Sequence, residues 1–202
     1  MATIDQLTLD VADVGAADRF YSAAFDLGDR LRLRPAPTGS HGFRGFTVSL
    51  LVAQPATVDA LMDAALAAGA TATAPAARSL WGYGGAVQAP DGTVWTLASA
   101  TRKDAGPATR QVDDVVLQLG VADVAASRDF YAERGLTPAK SFGRRYVEYD
   151  TGPVKLTLNR RAALAKVAGV PADGSGPHGL AVMSPAGPFT DPDGFVWKAA
   201  SR

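Results

Sequence analysis

Apolar and polar residues alternate from the start of the chain. In Gln6-Leu-Thr-Leu-Asp-Val11, the side chains of Leu7, Leu9 and Val11 share one face, and those of Gln6, Thr8 and Asp10 share the other. That two-residue period predicts a strand buried on one side. After Asp13 the period lengthens: Ala17, Phe20, Tyr21 and Ala24 recur at helical spacing, which predicts a helix from about Val14 to Phe25, capped by Asp13 and stopped by Gly28. An Arg/Leu alternation (Arg30 to Arg34) and a glycine-rich loop over 38–45 follow. Beyond them a second strand is expected from Phe46 to Val52 and an apolar helix from Val58 to Ala68. The Ala/Thr/Pro run after Gly69 reads as irregular. The turn Pro90-Asp-Gly92 then leads into a closing strand, Thr93 to Ala98.

The pattern repeats. Val11-Ala-Asp-Val-Gly-Ala-Ala-Asp-Arg-Phe-Tyr21 recurs as Val121-Ala-Asp-Val-Ala-Ala-Ser-Arg-Asp-Phe-Tyr131, and Pro90-Asp-Gly-Thr-Val-Trp95 recurs as Pro192-Asp-Gly-Phe-Val-Trp197. These copies predict two related domains, 1–100 and a shortened 112–202, joined by a polar linker over 101–111 that holds Gly and Pro. The middle of the second copy differs. Strands are expected at Phe142 to Tyr149 and Val154 to Asn159, with a short helix around Ala162 to Ala168, and the apolar helix of the first copy has no counterpart.

Composition narrows the class of function. The 202 residues carry 20 Lys and Arg against 20 Asp and Glu, so the chain has no net charge with which to gather nucleic acid or an anionic membrane. Cys is absent, which removes disulfides, thiolate metal sites and cysteine nucleophiles. The N-terminus has neither a basic n-region nor an apolar h-region, and a cytoplasmic protein is expected.

A strand, an Asp-capped helix ending in Phe-Tyr, and a closing Pro-Asp-Gly-x-x-Trp hairpin together resemble the vicinal oxygen chelate superfamily of glyoxalases, bleomycin-resistance proteins and extradiol dioxygenases. The resemblance implies an α+β fold, internally duplicated, of paired βαβββ-type modules whose curled mixed sheets surround a cleft. It also implies where metal-using members carry His, Gln or Glu. The first-strand position falls on Gln6 and Val116, the closing-strand position on Thr96 and Lys198, and the inner-strand position near Thr47 and near His178. Those residues give one imidazole and no carboxylate, where a catalytic zinc or iron site takes about three protein ligands. No metal and no cofactor are therefore expected.

The same lining suggests a ligand site. Gln6, Thr8, Thr47, Thr96, Asp114, His178 and Lys198 are the polar candidates, and Trp81 and Tyr83, set among glycines, could form a stacking wall for a planar ligand. Asp114 and Lys198 would pair if their strands are neighbours. Trp95, Trp197, Tyr21 and Tyr131 alternate away from the cleft and belong to the core. Catalytic residues are not identifiable from this pattern. The expected function is a small-molecule-binding protein with an aromatic ligand as partner; the alternative is a metal-dependent glyoxalase-like lyase, isomerase or dioxygenase. Both a monomer with an internal pseudo-dimer and a homodimer fit the duplication.

Overall fold

The computed structural model describes residues 2–37, 39–80 and 82–199. In the first half the elements are β1 (Gln6–Val11), α1 (Val14–Ala24), β2 (Leu31–Pro35), β3 (His41–Gly42), β4 (Phe46–Leu51), α2 (Pro55–Ala67), β5 (Thr71–Ser79), β6 (Gly82–Gln88) and β7 (Val94–Ser99). The second half gives β8 (Asp114–Val121), α3 (Val124–Ala132), β9 (Lys140–Ser141), β10 (Tyr146–Tyr149), β11 (Val154–Arg160), α4 (Arg161–Val167), β12 (Gly174–Ser175), β13 (Leu180–Met183), β14 (Phe189–Thr190) and β15 (Val196–Lys198). None of the described helices is long and apolar enough to cross a membrane.

The run after Gly69, expected to be irregular, is instead β5. It forms the edge of its sheet and pairs with β6 through two register shifts, between Ala72 and Ala74 and between Ala74 and Ala77. Pro75 sits in the second shift, where a missing backbone N–H costs no ladder bond. Small residues throughout the run erase the apolar alternation that would have announced a strand.

Strand pairing crosses the boundary between the repeat copies. A five-stranded sheet has the order β14-β15-β13-β1-β2, and an eight-stranded sheet the order β5-β6-β7-β4-β8-β11-β10-β9. Each sheet thus takes strands from both halves, with β1 antiparallel to β13 and β4 antiparallel to β8. The 101–111 segment is docked rather than loose. Gln54 accepts from the backbone N–H groups of Ala105 and Gly106 and donates to the Pro107 carbonyl, Asp104 caps the start of α2 at Ala56, and Arg110 donates to carbonyls at the end of α1.

One apolar core joins the two sheets and helices α1, α2 and α3. Asp13 and Asp123 both cap their helices as expected, accepting from Ala16 and from Ala125 and Ala126. Beneath each cap, a helix tyrosine links a closing-strand tryptophan to a carboxylate. Trp95 Nε1 donates to the Tyr21 hydroxyl, which donates to Asp91; Trp197 Nε1 donates to Tyr131, which donates to Asp191 at 2.5 Å. The second carboxylate stands two residues earlier relative to its Pro-Asp-Gly turn. The turn aspartate itself, Asp193, accepts instead from Ala122 N and the Ser127 hydroxyl.

Replacing Tyr131 by Phe would leave the Trp197 donor and the Asp191 carboxylate without a shared partner. We expect Y131F to lose about 1–3 kcal/mol of stability in thermal or urea denaturation, the cost of unsatisfied buried polar groups. Asp191 supplies a pH test. Burial holds its carboxyl above the ordinary aspartate value, so the folded protein keeps this proton to higher pH than the unfolded chain does. Stability should therefore fall as pH rises from the ordinary aspartate pKa through the raised one. Asp191→Asn should lack that segment of the profile.

Candidate functional site

The faces of the eight-stranded sheet differ sharply. Val48, Leu50, Trp95, Leu97, Leu117, Leu119, Leu156 and Leu158 point into the core with α2 and α3. By alternation, the other face presents Thr47, Ser49, Thr96, Asp114, Val116, Gln118, Lys155 and Thr157. Registers across β7, β4, β8 and β11 align four of these in one transverse row, Thr96, Ser49, Val116 and Lys155. Thr47, Gln118 and Thr157 form the next row.

Hydrogen bonds hold this polar face in place. Gln118 Oε1 accepts from the Thr47 hydroxyl at 2.8 Å and from the Thr96 hydroxyl at 3.5 Å, which turns its Nε2 group away from both. Lys155 Nζ meets Asp114 at 2.8 Å, with side chains 34% and 39% exposed. That hydrogen bond raises the pKa of Lys155 above the ordinary lysine value, so it is an ammonium at neutral pH.

Helix α4 covers one end of the face. Leu164, Ala165 and Ala168 pack with Phe43 and Val94, a residue on the same side of β7 as Thr96. Gly120 makes this approach possible, because a Cβ there would lie 2.8 Å from the Gly45 carbonyl and 3.0 Å from Arg161 Cα. At the far end Gly169, with φ +69°, abuts the Thr73 carbonyl on β5. The Asp114, Val116 and Lys155 end lies away from these contacts.

The sequence candidates are therefore divided. Thr47, Thr96 and Asp114 share the polar face just described, whereas Gln6, Thr8 and Lys198 lie on the five-stranded sheet. There Lys198, Met183 and Gln6 align in a row, and Gln6 donates to the Asp29 carbonyl at 2.7 Å. An Asp114–Lys198 pair is not formed, since the two residues belong to different sheets and Asp114 is taken by Lys155. Tyr83 points away from the polar face: it shares the side of Trp95 and Leu97, and its hydroxyl donates to Asp59 on α2 at 2.7 Å. Strand alternation through Gly84 and Gly85 decides its direction. Trp81 lies outside the described residues.

His178 sits at the joint between the sheets, stacked on Phe195 with ring centroids 3.9 Å apart. Its two nitrogens face the carbonyls of Arg44 and Asp193, which makes the ring a clamp between backbone segments rather than a free base. Register also corrects the inner-strand positions: Ser49, not Thr47, aligns with Val116 and Thr96, and Met183, not the His178 region, aligns with Gln6 and Lys198. Gln118 and Lys155 were missed. Gln118 was legible from its alternation with Asp114 and Val116, but Lys155 needed the parallel β8–β11 register, which no single strand reveals.

The whole arrangement has solved counterparts. A single-residue variant of glyoxalase I from Zea mays matches with a TM-score of 0.61 and 15% identity, over 97% of this chain and 92% of that one. The chain has the vicinal oxygen chelate fold. A second match, a candidate dioxygenase from Bacillus subtilis, has a TM-score of 0.56 at 13% identity over 90% of this chain and 69% of that one. No protein-family model and no curated protein matches the sequence.

The residues present do not fit a metal of the kind that this fold houses in its metal-using members. Each ligand row contains a lysine, and an ammonium donates hydrogen bonds but offers no lone pair to a cation. Among the described residues no three His, Asp or Glu side chains are grouped closely enough to hold an ion. The row geometry makes a prediction. A triple variant, Thr96→Glu, Val116→His and Lys155→Glu, should gain a zinc site that survives desalting and is seen by metal analysis, while the unaltered chain retains none.

Proposed function

We propose that this chain binds a small organic ligand, without a metal, on the polar face of the eight-stranded sheet, at the end marked by Asp114, Gln118 and Lys155. The observation that carries the reading is Lys155, ion-paired to Asp114, standing in the row where a metal would need its donors. Lys155 Nζ and Gln118 Nε2 supply donors, the Ser49 and Thr96 hydroxyls supply both donors and acceptors, and Asp114 supplies an acceptor. Leu51 and the largely buried Val116 lie among them as apolar lining. Such a lining suits a flat molecule with a carbonyl group beside an aromatic or aliphatic body, held by a few fixed polar contacts. Asp114 offsets the lysine charge, which favours a neutral carbonyl over a free carboxylate. α4 takes up the opposite end of the face and so limits the ligand to a small one.

Strand exchange between the halves supports a monomer, because it supplies within one chain the second module that a single-module protein of this fold obtains by dimerising. Gln6, Thr8 and Lys198 would then line a second, unlike face on the shorter sheet.

A thermal-shift screen of flat aromatic carbonyl compounds, run with and without EDTA, tests the reading. Ligands should raise the melting temperature equally in both conditions. The shift should be lost in Lys155→Met, whose own stability changes by only about 1 kcal/mol, as for a partly exposed ion pair, and in Gln118→Ala, which also leaves the buried Thr47 hydroxyl without its acceptor and costs about 1–3 kcal/mol. Stoichiometric metal in the purified protein, or a shift abolished by EDTA, would sink it in favour of the metal-dependent alternative.

A further inference from the structure

A cavity of about 290 Å³ opens where β3 and β12 meet at the start of α4. Arg44, Arg161, Asp173, the Gly174–Gly176 turn and His178 line it. Arg44 is only 8% exposed, yet among the described residues no carboxylate lies within ion-pair distance of it or of Arg161. A buried guanidinium without a counter-charge costs several kcal/mol in general, which is why such groups are found paired.

The contacts that Arg44 does make are weak substitutes for a carboxylate. Nη1 reaches the Asp10 carbonyl at 3.4 Å, Nη2 donates to the Thr93 hydroxyl, and Nε is buried with no partner. Nearby carboxylates are committed elsewhere: Asp10 pairs with Arg34, and Asp91 is reached only through Thr93, whose hydroxyl donates to it at 3.0 Å. Arg161 is held by the Ala172 and Phe43 carbonyls at 3.0 and 2.6 Å, which fixes its position and leaves its charge unneutralised. His178, with both nitrogens on backbone carbonyls, adds no negative charge. The one acidic side chain in the lining, Asp173, is exposed and makes no ion pair among the described residues.

We propose that this cavity is a binding site for a small oxyanion, the phosphate or carboxylate group of a metabolite, with Arg44 as the buried donor and Arg161 as the second cation. Two guanidinium groups presenting spare N–H donors match the planar or tetrahedral oxygens of such a group. The site is separate from the polar face proposed above and does not depend on it.

The full chain is tested by thermal shift with inorganic phosphate and, in separate arms, acetate and malonate, at ionic strength fixed with sodium chloride. One of these anions should raise the melting temperature saturably, and the arm that does so identifies phosphate or carboxylate as the group bound. Arg44→Met should abolish the effect. Because Arg44 is buried, that variant could fail to fold, and Asp173→Asn then decides the matter. Removing an exposed negative charge from the lining should tighten anion binding roughly three- to tenfold, the effect of one charge at about 6 Å in a high-dielectric setting. No stabilisation beyond chloride, an unchanged response in folded Arg44→Met, or unchanged or weaker binding in Asp173→Asn would each overturn the proposal.

Discussion

A tyrosine hydroxyl held between an indole donor and a carboxylate acceptor, once in each half, fixes the helices to the sheets in this protein. Tyr21 and Tyr131 are both buried, and desolvation pushes both phenols well above their ordinary pKa, so each remains a neutral donor. Each receives a hydrogen bond from the tryptophan of a closing strand and gives one to the turn that precedes it. The relay therefore ties helix, strand and turn at a single atom. The carboxylate can come from either of two places, Asp91 within its Pro-Asp-Gly turn or Asp191 just before the equivalent turn, which shows that the bond rather than the residue position is what the fold requires.

With the helices fixed on one side, alternation delivers a polar surface on the other. Trp95 and Leu97 belong to the core because Thr96 and Ala98 do not, and the same logic along β4, β8 and β11 collects hydroxyls, an amide and an ion pair on one face. Two kinds of positive charge then mark two places. Lys155 is balanced by Asp114 and half open to solvent, whereas Arg44 is buried and unbalanced. The first arrangement is locally neutral and the second keeps a full positive charge.

Much of this was readable from the residues. The Asp caps, the Phe-Tyr helices and the buried tryptophans follow from local period and turn chemistry, which act over a few residues and leave their mark in order along the chain. Pairing does not. The division of Gln6, Thr8 and Lys198 from Thr47, Thr96 and Asp114 depends on which strands meet, and β5 was hidden by its small residues and its edge position. Tyr83 was misplaced because glycines on both sides obscured the alternation that turns it towards Asp59. Arg44 carries no signal in its neighbours at all: its meaning comes from burial, and burial is a property of the assembled molecule.

The exchange of strands between halves has a consequence in time. β1 belongs to the first half and its antiparallel partner β13 to the second, with α1 to β12 between them, so the five-stranded sheet cannot close until both halves have been made. Contacts so distant in sequence close slowly, and an unpaired strand waiting for its neighbour is an invitation to pair with another molecule. The arginines on β2, Arg32 and Arg34, lie on the other side of β1 from β13, so they place charge at the outer edge of the finished sheet while the edge that awaits β13 has no such guard from β2.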